Sequence, residues 1–327
     1  MRGNVLVTGG AGYIGAHVAK ALAQAGFSPV VLDNLGGGRR EAVKWGPLVE
    51  GDLADAPLLA RVMAEHRPVG VIHLAGFIEV GESVREPARF YHNNFTNALV
   101  LLEAMRATGI GVVVFSSTAA VYGEPQYTPM REDHPTRPAN PYGESKLMVE
   151  WALAALGRAH GLRWLALRYF NASGADVDGE LGENHDPESH LIPRACLAAL
   201  GRVPPLQVFG TDYPTPDGTA VRDYVHVSDL ALAHVRALEH LLAGGESRAL
   251  NLGVGRGHSV AEVIGAVERA SGRKVPAQHA PRRPGDTPIL VADPSAANAL
   301  LGWRASIVEL DRIVETAWRW HNSGAKR

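Results

Sequence analysis

The sequence has very little cysteine and very little lysine. Cys196 is the single cysteine among 327 residues, so no disulfide can form within the chain, and we expect a reducing compartment. Only five of the 32 basic residues are lysine, at positions 20, 44, 146, 274 and 326. Because lysine is scarce, the one that follows Tyr142 by four residues in a helix-like stretch, Lys146, suggests a chemical role.

Long apolar runs and a strong charge of either sign are also lacking. No apolar run reaches the ~18 residues that span a bilayer, and the N-terminus has no signal-peptide pattern, so we expect a cytoplasmic protein without a membrane partner. The formal net charge of −2 gives no electrostatic reason to expect nucleic acid as a partner. The 14 histidines show no convincing metal-ligand spacing, so the sequence predicts no metal site.

Short apolar runs alternate with amphipathic stretches through the first half of the chain. This alternation predicts a parallel sheet covered by helices on both faces, a Rossmann-type doubly wound α/β fold with a smaller C-terminal α/β substrate lobe. The predicted strands are 5–8, 30–33, 48–52, 71–76, 112–117 and 164–170, and the predicted helices are 13–25, 56–66, 88–108 and 141–160.

The same pattern predicts two domains. Residues 1–171 form the Rossmann domain, and the strand and helix within 222–245 return to it. Residues 172–221 and 246–327 form the smaller lobe, which closes over the strand ends where open α/β sheets bind ligands.

A glycine-rich stretch, TGGAGYIG at 8–15, joins the first predicted strand to the first predicted helix. Gly9, Gly12 and Gly15 have the spacing G-x-x-G-x-x-G. Glycines let the backbone turn tightly and approach a pyrophosphate, and the helix N-terminus supplies NH groups. A tight turn without a ligand is the alternative interpretation of the glycines alone.

An acidic residue at the end of the next strand favours NAD over NADP. Asp33 can accept hydrogen bonds from ribose hydroxyls, whereas Arg39 and Arg40 could instead bind a 2′-phosphate. A carboxylate at the strand end would repel that phosphate. GD at 51–52 could reach the adenine, and HLAG at 73–76 ends the fourth strand with small residues where backbone passes a cofactor. The sequence therefore predicts an NAD site.

Tyr142 and Lys146 stand on one face of their predicted helix. A nearby ammonium and an oxidised nicotinamide would both lower the tyrosine pKa from its ordinary value of roughly 10. Ser116, Ser117 and Thr118 follow the fifth strand, where a substrate hydroxyl could be held. The alternatives are a surface lysine near a buried tyrosine and hydroxyls that form a turn. Beside a nicotinamide, the three elements together predict a hydride-transfer site.

Nearly the whole chain resembles the extended short-chain dehydrogenase/reductases and, within them, the UDP-glucose 4-epimerase family. The long run at 209–231 is the most specific part of the resemblance. It implies interconversion of UDP-galactose and UDP-glucose by transient oxidation at C4, with tightly bound NAD and hydride returned to the opposite face. The motifs in family order are TGGAGYIG, VLDNL, EGDL, HLAG, VGESV, YHNN, FSSTAAVYG, NPYGESKLMVE, LRYFNASGA, HLIP, FGTDYPTPDGTAVRDYVHVSDLA, NLGVG and APRRPGD.

The resemblance also implies the site residues and the assembly. Tyr142 would be the catalytic base and acid. Lys146 would lower the pKa of Tyr142 and bind a ribose, and Thr118 would supply the hydroxyl that holds the substrate. Helices near 88–108 and 141–160 would pair two copies as a four-helix bundle. Besides Tyr142 and Lys146, the NAD site would comprise Gly9, Gly12, Tyr13, Ile14, Gly15, Asp33, Asn34, Asp52, Leu53, Leu74, Ala75, Gly76, Asn93, Ser116 and Phe170. Besides Thr118 and Tyr142, the UDP-sugar would meet Asn171, His190, Leu191, Arg222, Arg283 and Asp286.

Departures from the family pattern leave other functions open. Ile78 replaces a lysine found near the cofactor in some members, which removes one polar contact but not the chemistry. Leu290 replaces a bulky tyrosine of some narrow-specificity members, so N-acetylated hexoses stay possible substrates. A 4-epimerase acting on pentoses or uronates is a separate alternative, because the sequence does not distinguish these sugars. A nucleotide-sugar 4,6-dehydratase would carry an Asp-Glu pair where this chain has Ala119 and Ala120, which cannot transfer protons. A non-catalytic NAD-sensing regulator would not need the hydroxyl, tyrosine and lysine together.

Overall fold

The structure is a computed structural model and describes residues 2–283 and 286–324. Its strands are β1 (Asn4–Thr8), β2 (Ser28–Asp33), β3 (Leu48–Glu50), β4 (Gly70–His73), β5 (Val112–Thr118), β6 (Arg163–Tyr169), β7 (Asn171–Ser173), β8 (Leu206–Phe209), β9 (Val221–His226), β10 (Arg248–Leu252), β11 (Gly257–Ser259), β12 (Ala277–Ala280) and β13 (Ile289–Leu290). Its helices are α1 (Tyr13–Gln24), α2 (Ala56–His66), α3 (Val80–Arg85), α4 (Pro87–Phe90), α5 (Asn97–Thr108), α6 (Pro141–His160), α7 (Leu191–Ala199), α8 (Val227–Leu242), α9 (Val260–Ser271), α10 (Ser295–Leu301) and α11 (Leu310–Asn322).

The larger sheet is parallel throughout, with strand order β10-β6-β5-β4-β1-β2-β3. One face packs against α1 and α8, and the other against α2, α5 and α6. Helices on both faces explain why the central strands read as continuous apolar runs. The strand order reverses at β1 and β4, which opens a crevice at their carboxyl ends. The predicted doubly wound α/β fold is confirmed.

Helix α6 begins and ends where the sequence predicts, at Pro141 and His160. The Asn140 side chain caps it by accepting the Gly143 NH, Pro141 occupies its first turn, and Gly161 follows it with φ +72°. These local signals determine the residue at which the helix begins. The face of α6 on which each residue lies therefore follows from the sequence.

The predicted helix 88–108 is interrupted, because residues Tyr91–Thr96 form a π-helical segment between α4 and α5. Within this segment the buried Asn94 side chain accepts the Phe77 NH and donates to the Phe77 carbonyl and to Ser145. Such segments are frequent near functional sites.

A smaller lobe packs α7, α9 and α11 around its own apolar cluster. Its main sheet has β9 between β11 and β13, with β7 also paired to β9, and β8 pairs with β12. Across the described ranges, 2–283 and 286–324, no helix is both long enough and apolar enough to cross a membrane.

Two of the predicted domain boundaries need correction. Strand β9 was predicted to rejoin the larger sheet, but it pairs within the smaller lobe, and only α8 packs back on that sheet. Strand β10 was predicted in the smaller lobe, but it extends the larger sheet beside β6. Both segments are short, and β9 includes Arg222, Asp223 and His226, so their composition predicts a strand without specifying its partner.

A buried charged network connects α6 to the larger sheet. Arg168 on β6 donates to both carboxylate oxygens of Glu150, over 2.9 and 2.5 Å, and their side chains are 7% and 6% exposed. Ser117 also donates to Glu150, while Arg168 donates to the Tyr122 hydroxyl, which donates in turn to Asn251 on β10. One carboxylate thus joins α6 to β5 and β6.

Removing the negative charge of this network should destabilise the fold strongly. In Glu150→Gln the Arg168 guanidinium would stay buried without a counter-charge, and we expect a loss of about 3–5 kcal/mol in the free energy of unfolding. Urea titration followed by circular dichroism measures it. The matched control is Glu103→Gln, which breaks the half-exposed pair with Arg106 on α5 and should cost less than about 1 kcal/mol. Equally small losses in both variants would contradict the prediction.

Candidate active site

The glycine-rich stretch turns sharply between β1 and α1 against the end of β4. Gly9 has φ +74°, and a Cβ there would lie 2.8 Å from the Ala75 Cα. A Cβ at Gly15 would lie 2.7 Å from the Gly10 Cα, so neither position has room for a side chain. A Cβ at Gly12 would contact only the Gly9 carbonyl oxygen, at 3.3 Å. The loop therefore keeps its backbone accessible in front of α1.

The N-terminus of α1 has no acceptor of its own. Gly12 is the N-cap, no side chain caps the helix, and its first turn has no acidic residue. The first-turn NH groups and the positive end of the helix dipole are thus available to an anion. Tyr13 and Ile14 lie in this turn. The Tyr13 hydroxyl donates to the Gly174 carbonyl over 2.7 Å, whereas Ile14 packs on the core.

Asp33, the predicted ribose acceptor, lies at the end of β2 with 7% exposure. Its carboxylate accepts the Ala11 and Leu35 NH groups over 2.9 and 2.8 Å. Arg39 donates to the Asn184 carbonyl. These contacts hold the acid at the loop that would face a ribose.

The neighbouring polar residues form a second group. Arg40 pairs with Glu50, so it is already neutralised. The Asn34 amide donates to the Asp52 carboxylate over 2.7 Å, and Leu53 beside it is buried. Because a carboxylate stands at the strand end and Arg40 is paired, the pocket fits the ribose of NAD better than a 2′-phosphate.

The segment after β4 connects the glycine loop to α6. Leu74 and Ala75 donate their NH groups to the Thr8 carbonyl over 2.9 and 3.1 Å. A Cβ at Gly76 would lie 3.2 Å from Lys146 Nζ, so a glycine here lets backbone and ammonium approach. Asn93 donates its side-chain amide to Asn94. Sequence reasoning singled out Asn93 and missed Asn94, although both belong to the motif YHNN.

The predicted hydroxyl, phenol and ammonium converge at the carboxyl end of β5. Thr118 ends β5, and its hydroxyl lies near enough to Tyr142, in the first turn of α6, to lower the pKa of that phenol. A Cβ at Gly143 would lie 2.5 Å from the Ala120 carbonyl oxygen, so this glycine allows α6 to approach the turn after β5. Lys146 follows Tyr142 by one helical turn.

Burial governs the proton affinities of this group. Lys146 is 3% exposed, and burial lowers its pKa to about 8. Its ammonium donates to the Ser116 carbonyl over 3.1 Å. Burial raises the pKa of Tyr142, and the Thr118 hydrogen bond opposes part of that rise. Burial and the Lys146 charge together lower the pKa of His73 to about 3. In the protein without ligand, the Lys146 ammonium therefore loses its proton more readily than the Tyr142 phenol, which stays protonated.

The predicted substrate residues of the smaller lobe lie mainly at one edge. Arg222 on β9 donates to the Thr287 carbonyl and lies 3.7 Å from an Asp286 carboxylate oxygen. The Arg283 guanidinium lies 3.9 Å from the centre of the Phe209 ring. The two guanidinium groups give this edge positive charge suited to a diphosphate.

An apolar cluster connects this edge to the turn after β5. Val121, Tyr122, Met130 and Leu147 pack with Ala119, Phe170 and Leu290. Leu290 pairs in register with Arg222, and Asn171 on β7 pairs with Tyr224 on β9. The cluster thus brings the β9 edge to the side of the sheet that carries Thr118 and Tyr142.

His190 and Leu191, the remaining predicted substrate residues, start α7. His190 belongs to a cluster that sequence reasoning missed: potential ligand atoms of Glu183, His185, Glu188 and His190 lie within 4.8 Å of one another. Burial alone would lower the pKa of each histidine. The Glu183 and Glu188 carboxylates have the larger, opposite effect and raise the pKa of His185 to about 9 and that of His190 to about 11. The signal was the spacing Glu-x-His-x-x-Glu-x-His in 183–190.

The low pKa of Lys146 predicts how the free energy of unfolding depends on pH. Its folded-state pKa of about 8 lies below the ordinary 10.5, so between these values the unfolded chain binds more protons and this group favours folding increasingly as pH rises. Lys146→Met should therefore stabilise the ligand-free protein more at about pH 7 than at about pH 9.5, by on the order of 2 kcal/mol. Urea titration at both pH values measures this. Lys274→Met, at a side chain 90% exposed, is the control, and the same pH response in both variants would contradict the prediction.

Comparison with known proteins identifies the family of this chain. A family model described as the NAD dependent epimerase/dehydratase family matches residues 5–253. The UDP-glucose 4-epimerase of Azospirillum brasilense is 56% identical over 320 residues, 98% of this chain and 92% of that protein. The crystal structure of UDP-glucose 4-epimerase from Brucella ovis in complex with NAD is 53% identical, with a TM-score of 0.95 and 97% of each chain covered.

A further structure, of UDP-glucose 4-epimerase from Stenotrophomonas maltophila with bound NAD and formylated UDP-arabinopyranose, is 42% identical. Its TM-score is 0.95, and 98% of each chain is covered. The family match spans more than half of this chain, and the identities hold over nearly its full length. The protein therefore belongs to the NAD dependent epimerase/dehydratase family.

Proposed function

We propose that the protein interconverts UDP-galactose and UDP-glucose by transient oxidation at C4 of the sugar, with tightly bound NAD. The observation that carries the proposal is the convergence of Thr118, Tyr142 and Lys146 beside the glycine loop. Relatives that share more than half of its residues over nearly its full length are named UDP-glucose 4-epimerase. The residues that the resemblance implies for the NAD and UDP-sugar sites are proposed in the same roles.

The described residues fit NAD. Gly9 and Gly15 have no room for a side chain, the first turn of α1 has NH groups for a pyrophosphate, and Asp33 stands where a ribose would lie. NAD, when bound, supplies reversible hydride acceptance at C4. Lys146 would bond its ribose, since its ammonium lies against the backbone of Gly76 beside the glycine loop.

The proton chemistry belongs to Tyr142. Its phenolate oxygen would take the proton of the sugar 4-hydroxyl and return it on either face of the ring, while the Thr118 hydroxyl holds the substrate oxygen. Because burial raises the pKa of Tyr142, the phenolate needs positive charge from Lys146 and the oxidised cofactor to form at neutral pH. Arg222 and Arg283 would retain the diphosphate while the sugar rotates to present its other face between the two hydride transfers.

The structure gives reasons to prefer epimerisation to dehydration. Ala119 and Ala120 occupy the single 3-10 turn directly after Thr118, where a dehydratase would need proton donors, and their methyl groups carry none. Leu290 lies partly buried at the β9 edge and is smaller than the tyrosine of narrow-specificity members. An N-acetylated hexose, pentose or uronate is therefore the second candidate substrate class.

The first prediction of this proposal concerns the product. Purified protein incubated with UDP-galactose and no reductant should form UDP-glucose up to an equilibrium mixture, followed by the anomeric proton signals in NMR. No conversion of UDP-galactose by protein that holds NAD would refute this substrate assignment. Parallel incubations with UDP-GlcNAc and UDP-xylose then distinguish the other sugars, and a 4-keto-6-deoxy product would indicate a dehydratase. Inertness toward every nucleotide sugar would favour an NAD-sensing regulator.

The second prediction concerns the base. Tyr142→Phe should lower kcat by about 10²–10⁴-fold, because the proton acceptor is lost, while NAD is still bound. Bound NAD is measured by its release on denaturation. Tyr127→Phe is the control, since that tyrosine is 42% exposed, its hydroxyl bonds Asp133, and its ring contact with His134 is retained by phenylalanine. Near-normal turnover of Tyr142→Phe would rule out this base.

We further propose that two copies associate through α5 and α6 as a four-helix bundle, and that the protein acts in the cytoplasm, as its single cysteine indicates. Trp151 on α6 is 62% exposed, and Val84 and Val80 on the adjacent α3 are 63% and 44% exposed. Large apolar side chains grouped on one surface are typical of protein interfaces.

The dimer is tested at Trp151. Trp151→Glu should shift the molar mass in light scattering from two chains to one, because a charge would be buried in the interface. Leu232→Glu, at a leucine 42% exposed on α8, is the matched control and should leave the molar mass unchanged. A wild-type protein of one chain would contradict the proposal.

A further inference from the structure

The segment between β7 and α7 folds four side chains with metal-ligating atoms onto one centre. His190 Nδ1 lies 2.8 Å from an oxygen of Glu183 and 3.3 Å from an oxygen of Glu188. His185 Nδ1 lies 3.1 Å from the same Glu183 oxygen and 3.7 Å from the other Glu188 oxygen. Two nitrogens and two carboxylates therefore surround one point.

The four residues bring ligand atoms close enough together to share one ion. With metal–ligand bonds of about 2.0–2.1 Å, the ligand atoms of a tetrahedral zinc site lie about 3.3 Å apart. The nitrogen–oxygen separations, which involve both oxygens of Glu188, range from 2.8 to 3.7 Å around that value, and one ligand atom from each residue lies within 4.8 Å of the others. The centres of the two imidazole rings are 5.2 Å apart, and the ring planes are inclined by 50°.

A second observation points to a ligand. Glu188 Oε1 accepts the Ser189 and His190 NH groups and hydrogen-bonds His190 Nδ1. The side chain is 5% exposed, yet its other oxygen, Oε2, has no hydrogen-bond partner among the described residues. The buried His185 Nδ1 lacks one as well, although Glu183 Oε1 is only 3.1 Å away. A buried carboxylate oxygen left unpartnered is costly, and a cation bound between these atoms would satisfy it.

We propose that Glu183, His185, Glu188 and His190 bind a zinc ion. A mixed set of imidazole nitrogens and carboxylate oxygens suits Zn²⁺, whereas Mg²⁺ and Ca²⁺ select sets made of oxygen. The charge also balances, since two carboxylates neutralise one divalent cation and both histidines can then be neutral.

The zinc site would fasten the segment that leads into α7. The Glu183 carbonyl accepts the Trp320 indole NH on α11 over 3.0 Å, and the adjacent Asn184 carbonyl accepts Arg39. His190 is the N-cap of α7. Metal bound through Nδ1 leaves Nε2 of His190 free, so ligation is compatible with a contact to substrate. The ion would hold the start of α7 against both the cofactor side and the C-terminal helix.

The test measures metal uptake by the full chain. Protein freed of metal by dialysis against a chelator is titrated with Zn²⁺ in competition with a chromophoric chelator. We expect one zinc per chain and a rise in melting temperature on loading. Co²⁺ in its place should give the visible absorption of a tetrahedral site. Loss of a residue that only supports a metal ligand weakens binding by about 10–100-fold. His185→Gln and Glu188→Gln, which each remove a ligand, should weaken zinc binding by more than that.

The matched control is Asp178→Asn in the neighbouring group of Asp176, Asp178 and Glu180, whose carboxylates already pair with Lys20. It should leave zinc affinity unchanged. Failure of metal-free wild-type protein, folded by circular dichroism, to take up one zinc would overturn the proposal and indicate protonated histidines paired with carboxylates. Equal zinc binding by wild type and both ligand variants would also overturn it, because the ion would then sit elsewhere. These outcomes do not depend on epimerase activity.

Discussion

The site depends on the close approach of backbone to backbone at the carboxyl edge of the larger sheet. Gly9 and Gly15 let the loop after β1 contact the segment after β4, and Gly143 lets α6 approach the turn after β5. A side chain at any of these positions would push the elements apart, and the crevice created by the reversal of strand order would be displaced. The side chains of Thr118, Tyr142 and Lys146 can converge because these glycines have none.

Burial is the second constraint, and it sets the chemistry. It lowers the pKa of Lys146 and raises that of Tyr142, so neither group is in its most reactive state before ligands arrive. The network of Glu150 and Arg168 lies behind them on α6 and β6, where it anchors the same helix by charge in addition to apolar packing. A helix held this firmly keeps the Tyr142 phenol at the end of β5.

The smaller lobe is tied to the sheet at two places. Asp223 on β9 accepts the NH groups of Val254, Gly255 and Ala292, and burial raises its pKa to about 6 against the effect of these hydrogen bonds. Lys20 on α1 is held by the carboxylates that follow β7. Between these connections lies the segment 183–190, whose histidines and glutamates would need either protons or a divalent cation to be buried together. A zinc ion would make this segment a third connection.

Local patterns in the sequence determined the elements, because capping and hydrophobic period act over a few residues. The bounds of α2 and α6, the parallel sheet, the glycine loop and the one-turn spacing of Tyr142 and Lys146 all follow from them. Only the tertiary structure decided which sheet β9 and β10 join and where the π-helical segment interrupts 88–108, since strand pairing and the Asn94 contacts join distant residues. The same holds for the cluster at 183–190. Its spacing is visible in the sequence, but four ligand atoms reach one centre only when the chain folds around them.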